Sequence, residues 1–399
     1  MNHVALLVPT LDRLGGAERQ VMLLARGLSG REWRVSVVAL SGCGGAAAGE
    51  LGHCGVAFLS LGMRKGLADP RGWIRFHHWL REAKPDVVHA HLPHAAWLAR
   101  WSRLAAPAPV FPVFIDTLHS SFVGGPGRRF GYRISRWLPN HVTAVSCAVA
   151  NSHLRAGMVD PATLSIVPNG VETSGWKPDA AARAAARREL GIGDEFLWIA
   201  AGRLAPVKDF LTLLAAMARL PATAQLLIAG DGPLRNQLLR QTESYGLRCR
   251  VRFLGFEPKL LRWMQAADAF VLSSLWEGLP MALLEAAACA LPAVATGVPG
   301  AREVIEPGLT GILAPASAPS ALSEAMRQMI RMPPAERLRM GWRARQRVTA
   351  RFDIETVLDS WEDLYGSFLQ SPRTMPSYPR LRPPAAASNQ VLNRAAEKS

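Results

Sequence analysis

The sequence predicts an α/β chain built as two doubly wound parallel-sheet domains, on three observations. Short apolar β-like runs alternate with helical patterns from the first residues onward. A Pro168-Asn169-Gly170 break divides the alternation into two series, and 399 residues at 49% hydrophobic content suffice for two ordinary cores. The first series reads Val4 to Val8 as a strand, Ala17 to Leu28 as a helix and Arg34 to Leu40 as a strand. It continues with a helix over Trp73 to Ala83, a strand over Asp86 to His89, a helix over His94 to Leu104, and strands over Val113 to Thr117 and His141 to Val145. Strands separated by helices in this way form parallel sheets.

At Ile166-Val167-Pro168-Asn169-Gly170-Val171-Glu172 a strand breaks at turn-forming residues, and a polar Ala/Arg helix follows over Ala180 to Leu190. The domain junction is placed there, giving residues 1–172 and 173–351. The second series runs Phe196 to Ala201, Phe210 to Leu220, Gln225 to Ala229, Leu234 to Tyr245, Val251 to Leu254, Lys259 to Ala266 and Ala269 to Leu272. Helices over Ala321 to Ile330 and Ala335 to Arg351 precede a last one, within 352–370, in which Val357, Leu358, Trp361, Leu364, Tyr365 and Phe368 make one apolar stripe. That stripe must pack on something. Residues 371–399 lack a sustained apolar period and read as a disordered tail.

Composition narrows the function. The longest apolar stretches, Ala105 to Ile115 and Leu279 to Ala301, are broken by prolines or by Glu285 and do not read as membrane spans. The start goes directly into a strand-like run ending at Pro9, unlike a signal peptide. Five cysteines without a Cys-x-x-Cys pair argue against a disulfide framework and a thiolate zinc site, and fit a reducing cytoplasm. Of the net charge of +15, residues 1–172 contribute 18 basic against 10 acidic side chains, and the tail 5 against 1. That excess suits an acidic membrane surface, a phosphorylated substrate or nucleic acid, and charge alone does not choose among them. Nucleic acid is not expected, because no recognised binding module accompanies the charge.

Several clusters carry candidate chemistry. Gly15-Gly16-Ala17-Glu18 lies between the first strand and first helix, where a helix N-terminus suits a phosphate; a tight strand-to-helix turn explains it equally. Gly202-Arg203-Leu204 with Lys208 again lies between strand and helix. There a guanidinium fork and an ammonium suit a departing diphosphate, or are two solvated basic residues. Gly230-Asp231-Gly232-Pro233 adds a glycine loop on the same predicted edge. Glu277-Gly278-Leu279-Pro280 leads into a helix carrying Glu285, the only charged residue between Leu279 and Ala301. A carboxylate buried there needs donors, either ligand hydroxyls or the backbone and an internal arginine. His89, His91 and His119 fall near strand carboxyl ends. A metal reading of His89, His91 and His94 lacks an acidic or thiolate partner at recognisable spacing, and no Asp-x-Asp pair exists to bind a metal diphosphate, so metal-free chemistry is expected. Finally, Arg128 to Leu138 mixes four arginines with aromatics at helical spacing, either a bilayer-facing helix or a surface helix with its apolar side in the core.

The ordered set Gly-Gly-Ala-Glu, Val-Pro-Asn-Gly-Val-Glu, Gly-Arg-Leu with Lys five residues beyond the arginine, Gly-Asp-Gly-Pro and Glu-x7-Glu resembles family 4 retaining glycosyltransferases of the GT-B fold, over residues 1 to about 370. The resemblance implies two Rossmann-like domains facing a central cleft, a nucleotide-sugar donor on the C-terminal one, the acceptor side on the N-terminal one, and a last helix crossing back to the first domain. It implies that Arg203 and Lys208 bind the donor diphosphate and that Gly15 and Gly16 close on it. Gly230 is expected on the donor side, and Glu285 on the ribose hydroxyls. Glu277 would contact the donor sugar beside the backbone of Gly278, Leu279 and Pro280, with His119 at the reacting face. No cofactor or metal is implied, since the nucleotide-sugar, with a UDP-sugar as the expected donor, is a substrate. The acceptor implied is a saccharide or lipid-linked saccharide of surface polysaccharide or glycolipid assembly, met in the cytoplasm or on the inner membrane face. Two departures stand out: Ser273 where family members often have Pro, and Asp209 where many have Gly. The rival readings are a nucleotide-sugar epimerase of the same architecture, against which Arg203, Lys208 and Glu-x7-Glu argue, and a non-catalytic nucleotide-sugar or nucleic-acid binding protein.

Overall fold

A computed structural model describes residues 1–12, 14–64, 69–105 and 112–370. The segment 371–399, expected to be a disordered tail, lies outside the described residues, as does most of the proline-broken run after Ala105. The N-terminal half runs β1 (His3–Val8), α1 (Gly16–Ser29), β2 (Arg34–Ala39), α2 (Gly45–His53), β3 (Ala57–Ser60), α3 (Pro70–Ala83), β4 (Val87–His91), α4 (Pro93–Ala105), β5 (Val113–Leu118), α5 (Pro126–Ile134), β6 (His141–Ala144), α6 (Cys147–Arg155) and β7 (Leu164–Ile166). The C-terminal half runs α7 (Ala180–Leu190), β8 (Phe196–Ala201), α8 (Phe210–Met217), β9 (Ala224–Ala229), α9 (Arg235–Ser244), β10 (Val251–Gly255), α10 (Leu260–Ala266), β11 (Ala269–Leu272), α11 (Met281–Ala288), β12 (Ala293–Thr296), α12 (Pro299–Val304), β13 (Gly311–Ala314), α13 (Pro319–Arg331), α14 (Pro334–Phe352) and α15 (Ile354–Gln370).

Every pairing is parallel, in two sheets ordered β3-β2-β1-β4-β5-β6-β7 and β10-β9-β8-β11-β12-β13. The central strands are buried on both faces, as β1 (HVALLV) and β8 (FLWIAA) show, because helices cover both sides of a parallel sheet. In each sheet the strand order reverses once, between β1 and β4 and between β8 and β11. These are the switch points where open α/β sheets leave a crevice at their carboxyl edge.

Helix α15 leaves the C-terminal half and packs on the N-terminal one. Its Ile354, Val357, Leu358, Trp361, Leu364, Tyr365 and Phe368 share one core with Val4 and Leu6 of β1 and Val21 and Leu24 of α1. At its polar edge Arg31 reaches Glu355 and Asp359 at 2.6 Å and Glu362 at 2.7 Å, while Trp33 Nε1 donates to Glu362 at 2.9 Å. The area buried by the apolar stripe carries this attachment, since partly exposed ion pairs contribute little each.

Replacing the fully buried Leu358 with Ala removes this packing and leaves a cavity. A loss of about 2–5 kcal/mol in unfolding free energy is expected from urea titration.

Candidate active site

The loops after β8 and β11 meet at the switch point of the second sheet. After β8 come Gly202, the exposed Arg203 and a short turn Pro206–Lys208; after β11 comes the loop from Ser273 to Pro280, then α11. Lys208 Nζ lies 2.5 Å from Glu277 Oε1, and Ser274 Oγ donates to the same oxygen at 2.6 Å. Sequence reading gave Lys208 and Glu277 separate partners, one phosphate and one sugar. The structure joins them, because adjacent parallel strands deliver the two loops side by side and opposite charges in a partly dry crevice pair. The ammonium is thereby fixed in direction.

The two departures from the family pattern have local explanations. Asp209 has φ +45°, a left-handed conformation that glycine adopts at no steric cost and Asp tolerates, and its carboxylate accepts from Thr212 N at 3.3 Å as the cap of α8. Ser273 Oγ donates to the Lys208 carbonyl at 2.7 Å, tying the β11 loop to the β8 loop. Gly230, expected to face the donor, is found where two loops touch: a Cβ there would come 1.9 Å from the Gly202 carbonyl oxygen. Its lack of a side chain lets the β9 loop support the Arg203 loop from behind, with Leu204 N donating to Asp231 O at 3.0 Å.

From the N-terminal half, Gly15 caps α1 and Gly16 faces the Met281 side chain at the start of α11. The Gly15 N–H donates to Glu18 Oε2 at 3.1 Å. Burial pushes the Glu18 carboxyl up, opposed by backbone hydrogen bonds and by the charge of Arg203. Glu285, 4% exposed, has Arg19 Nη1 3.4 Å from its Oε1; burial raises its pKa and Arg19 pulls it back. Of the partners considered for this carboxylate, the structure supplies the internal arginine, reaching across from α1. Sequence reading missed Arg19, although it stands one helical turn beyond Gly15 and therefore on the glycine loop's side of α1.

His119 follows β5, and its carbonyl oxygen would be 2.1 Å from any Cβ at Gly278, so only glycine permits the two loops to touch there. Ser121 Oγ donates to Glu277 O and Asn169 Nδ2 to Leu279 O, both at 3.1 Å, so N-terminal side chains hold the β11 loop on two carbonyls. His119 Nε2 is 3.0 Å from His91 Nδ1. His89 bonds Tyr365 of α15 at 2.7 Å and Thr117 at 2.6 Å. Among the described residues no group of three or more His, Cys, Asp or Glu side chains is placed to hold a metal ion. Burial pushes His119 down to about 4 and His89 and His91 well below their usual value, so these rings are neutral at pH 7. Sequence reading placed His91 near the site without finding this contact, which depends on β4 and β5 being neighbours.

The N-terminal half matches the family model "Glycosyltransferase Family 4" over residues 14–174, and the C-terminal half matches "Glycosyl transferases group 1" over residues 182–347. The chain is 29% identical over 331 residues to a glycogen synthase of Mycobacterium tuberculosis, covering 79% of this chain and 74% of that protein. It is 26% identical over 314 residues to UDP-Gal:alpha-D-GlcNAc-diphosphoundecaprenol alpha-1,3-galactosyltransferase of Escherichia coli, covering 75% and 80%. Among solved structures, Anabaena Alr3699/HepE in complex with UDP-glucose superposes with a TM-score of 0.80 at 21% identity, over 92% of this chain and all of that one. Sucrose-phosphate synthase from Thermosynechococcus elongatus gives 0.81 at 22%, over 93% and all. Two facing parallel sheets whose switch-point loops share one cleft define a GT-B enzyme. The chain belongs to the family 4 glycosyltransferases.

A histidine held neutral by burial stabilises the fold above its unfolded pKa of about 6.5 and loses that contribution as pH falls toward its folded value. Unfolding free energy is therefore expected to drop between pH 7 and pH 4.5, and His119→Asn to flatten part of that slope in urea titrations at stepped pH.

Proposed function

We propose that this glycosyltransferase moves a sugar from a UDP-sugar to a saccharide carried on a lipid, with retention of anomeric configuration and without a metal. The observation that carries the reading is the pairing of Lys208 with Glu277 at the second sheet's switch point, on the loop that also carries Arg203, with Gly16 and His119 of the other half against Met281 and Gly278. The Anabaena structures in complex with UDP and UDP-glucose support the donor, and the diphosphoundecaprenol-linked acceptor named for the Escherichia coli relative supports the lipid carrier.

In this reading Arg203 forks onto the diphosphate and Lys208 adds a directed charge. Glu285, already held by Arg19, takes the ribose hydroxyls. Glu277 and the backbone of Gly278, Leu279 and Pro280 hold the sugar. His119, a neutral ring, offers a hydrogen bond at the reacting face. The bond from the sugar's anomeric carbon to the phosphate oxygen breaks as the bond to the acceptor oxygen forms on the same face, and the acceptor proton passes to the leaving phosphate. Arg203 and Lys208 stabilise the charge that develops there, the task a metal performs elsewhere.

The N-terminal half meets an anionic membrane surface through α5. Phe130 (65% exposed), Ile134 and Trp137 (66% exposed) stand on the outside among exposed Arg128, Arg129, Arg133 and Arg136. An apolar ridge flanked by arginines suits a headgroup layer. Among the described residues no helix is long and apolar enough to cross a membrane.

Calorimetric titration with UDP in EDTA is expected to show binding that Arg203→Ala weakens by about 10–100-fold, the loss of a charge-assisted hydrogen bond. Equal affinity in that variant would remove Arg203 from the diphosphate. In vesicle flotation, anionic liposomes should retain the protein and neutral ones should not, with Phe130→Ser/Trp137→Ser reducing retention severalfold.

A further inference from the structure

His89, His91 and His119, all neutral, stand in series from Tyr365 of α15 to the β11 loop, and their hydrogen bonds fix where the protons lie. The series is anchored by an atom that only accepts, the Asp116 carbonyl oxygen. Thr143 Oγ1 donates to it at 3.4 Å, so Thr117 Oγ1 donates to Thr143 at 2.7 Å and His89 Nε2 donates to Thr117 at 2.6 Å. His89 Nδ1 is then bare and accepts from the Tyr365 hydroxyl at 2.7 Å. With both nitrogens used, His89 offers its neighbours only a face. Its ring centroid is 4.0 Å from that of His91 and 4.5 Å from that of Trp361, so the His91 ring rests on a fixed wall.

The His91 ring makes one hydrogen bond among the described residues, Nδ1 to His119 Nε2 at 3.0 Å, and a single proton lies between the two nitrogens. The other two, His91 Nε2 and His119 Nδ1, are buried with no hydrogen-bond partner among the described residues. Either both rings carry their proton on Nε2, so that His119 donates and His91 keeps an N–H sealed in the fold, or both carry it on Nδ1. In the second case His91 donates, its sealed nitrogen is bare, and the remaining N–H belongs to His119. His91 ends the buried strand β4, whereas His119 follows β5 in the loop that touches Gly278, so a ligand in the cleft reaches His119 and not His91. A sealed N–H without an acceptor is the rarer kind of orphan, and the second arrangement avoids it.

We propose that His91 is a positioning residue for His119: by donating Nδ1–H to His119 Nε2, it turns the tip of that ring into the N-terminal half and leaves the His119 proton on Nδ1, as a donor to a hydroxyl oxygen of the donor sugar. With its one lone pair engaged by His91, His119 is a hydrogen-bond donor and not a base, in keeping with passage of the acceptor proton to the leaving phosphate. This assignment rests on the glycosyltransferase reading and adds to it which nitrogen of His119 meets the sugar and which residue sets it.

The test is a long-range proton–nitrogen correlation spectrum of the histidine rings in the full-length chain at pH 7, which separates protonated from bare ring nitrogens by their chemical shifts. Among the 10 histidines of the chain, the two rings are assigned by the signals lost in His91→Asn and in His119→Asn. Both are expected as Nδ1–H forms, and Nε2–H forms in both overturn the proposal. In His91→Leu, His119 is expected to populate the Nε2–H form as well. His91→Asn, whose amide N–H stands as many bonds from Cβ as Nδ1 does, should keep His119 as Nδ1–H. An unchanged His119 in His91→Leu removes the positioning role. Calorimetric titration with UDP, UDP-glucose, UDP-galactose and UDP-N-acetylglucosamine reads the consequence for binding. The sugar conjugate that the wild-type chain binds best is expected to weaken about threefold to tenfold in His91→Leu and to recover in His91→Asn, with UDP itself unchanged. Equal losses for UDP and the conjugates, or no loss for any conjugate, overturn the sugar-facing role while UDP binding leaves the donor reading standing. Failure of UDP to bind the wild-type chain overturns the donor reading itself, and the spectra then decide the His91–His119 pair alone.

Discussion

The structure turns on the absence of a side chain at Gly278. Its Cα lies against the His119 carbonyl on one side, while Gly300 of α12 approaches Gly278 O and Glu277 O so closely that a Cβ there would come within 2.4 Å and 2.8 Å of them. Two glycines thus let three backbone segments stack where the halves meet. Any side chain at Gly278 must move main chain rather than a flexible tip, which is the costly kind of clash. Ser121 and Asn169 then set the loop's height by its carbonyls, and the Glu277 carboxylate is left to face Lys208.

Charge in the cleft is arranged as opposed pairs rather than as a basic patch. Lys208 stands against Glu277, Arg19 against Glu285, and Arg203 acts on Glu18. Lys208, Arg19 and Arg203 each have a carboxylate within influence, so an anion reaching them would compete with existing partners. That competition makes binding sensitive to geometry, because only a ligand that reaches several cations at once compensates for the pairs it disturbs.

The architecture was legible because both cores rest on long apolar strands and one amphipathic helix: β8, β11 and α7 have the boundaries that the pattern gives, and the α15 stripe is the face that packs. Elements with short or Gly/Ala-rich sequences escaped. Helix α2 (GAAAGELGH) has little periodicity, β12 is four residues inside the Leu279 to Ala301 run that reads as one apolar stretch, and α12 and β13 are only six and four residues long. At the site, residue types and positions were readable, since loops at strand ends carry them. Partnerships were not, because Arg19 with Glu285 and His91 with His119 join residues whose meeting depends on strand order or on the approach of the two halves. Gly230 adds a contact of the same kind: its approach to the Gly202 carbonyl follows from β8 and β9 being neighbours, which no local pattern announces.

The chain passes between the two halves twice, once after β7 and once between α14 and α15, and the two passages lie against each other. Val171 pairs with Asp353 as a parallel bridge, its N–H donating to Phe352 O at 2.8 Å and its carbonyl accepting from Ile354 N at 3.0 Å. Thr173 adds its hydroxyl to the Asp353 carboxylate. The molecule is therefore bound along one edge like a book along its spine. Gly16 against Met281 and His119 against Gly278 are further contacts between the same two halves. Any change in the angle between the two sheets must therefore bend the paired stretch of backbone at Val171 and Asp353.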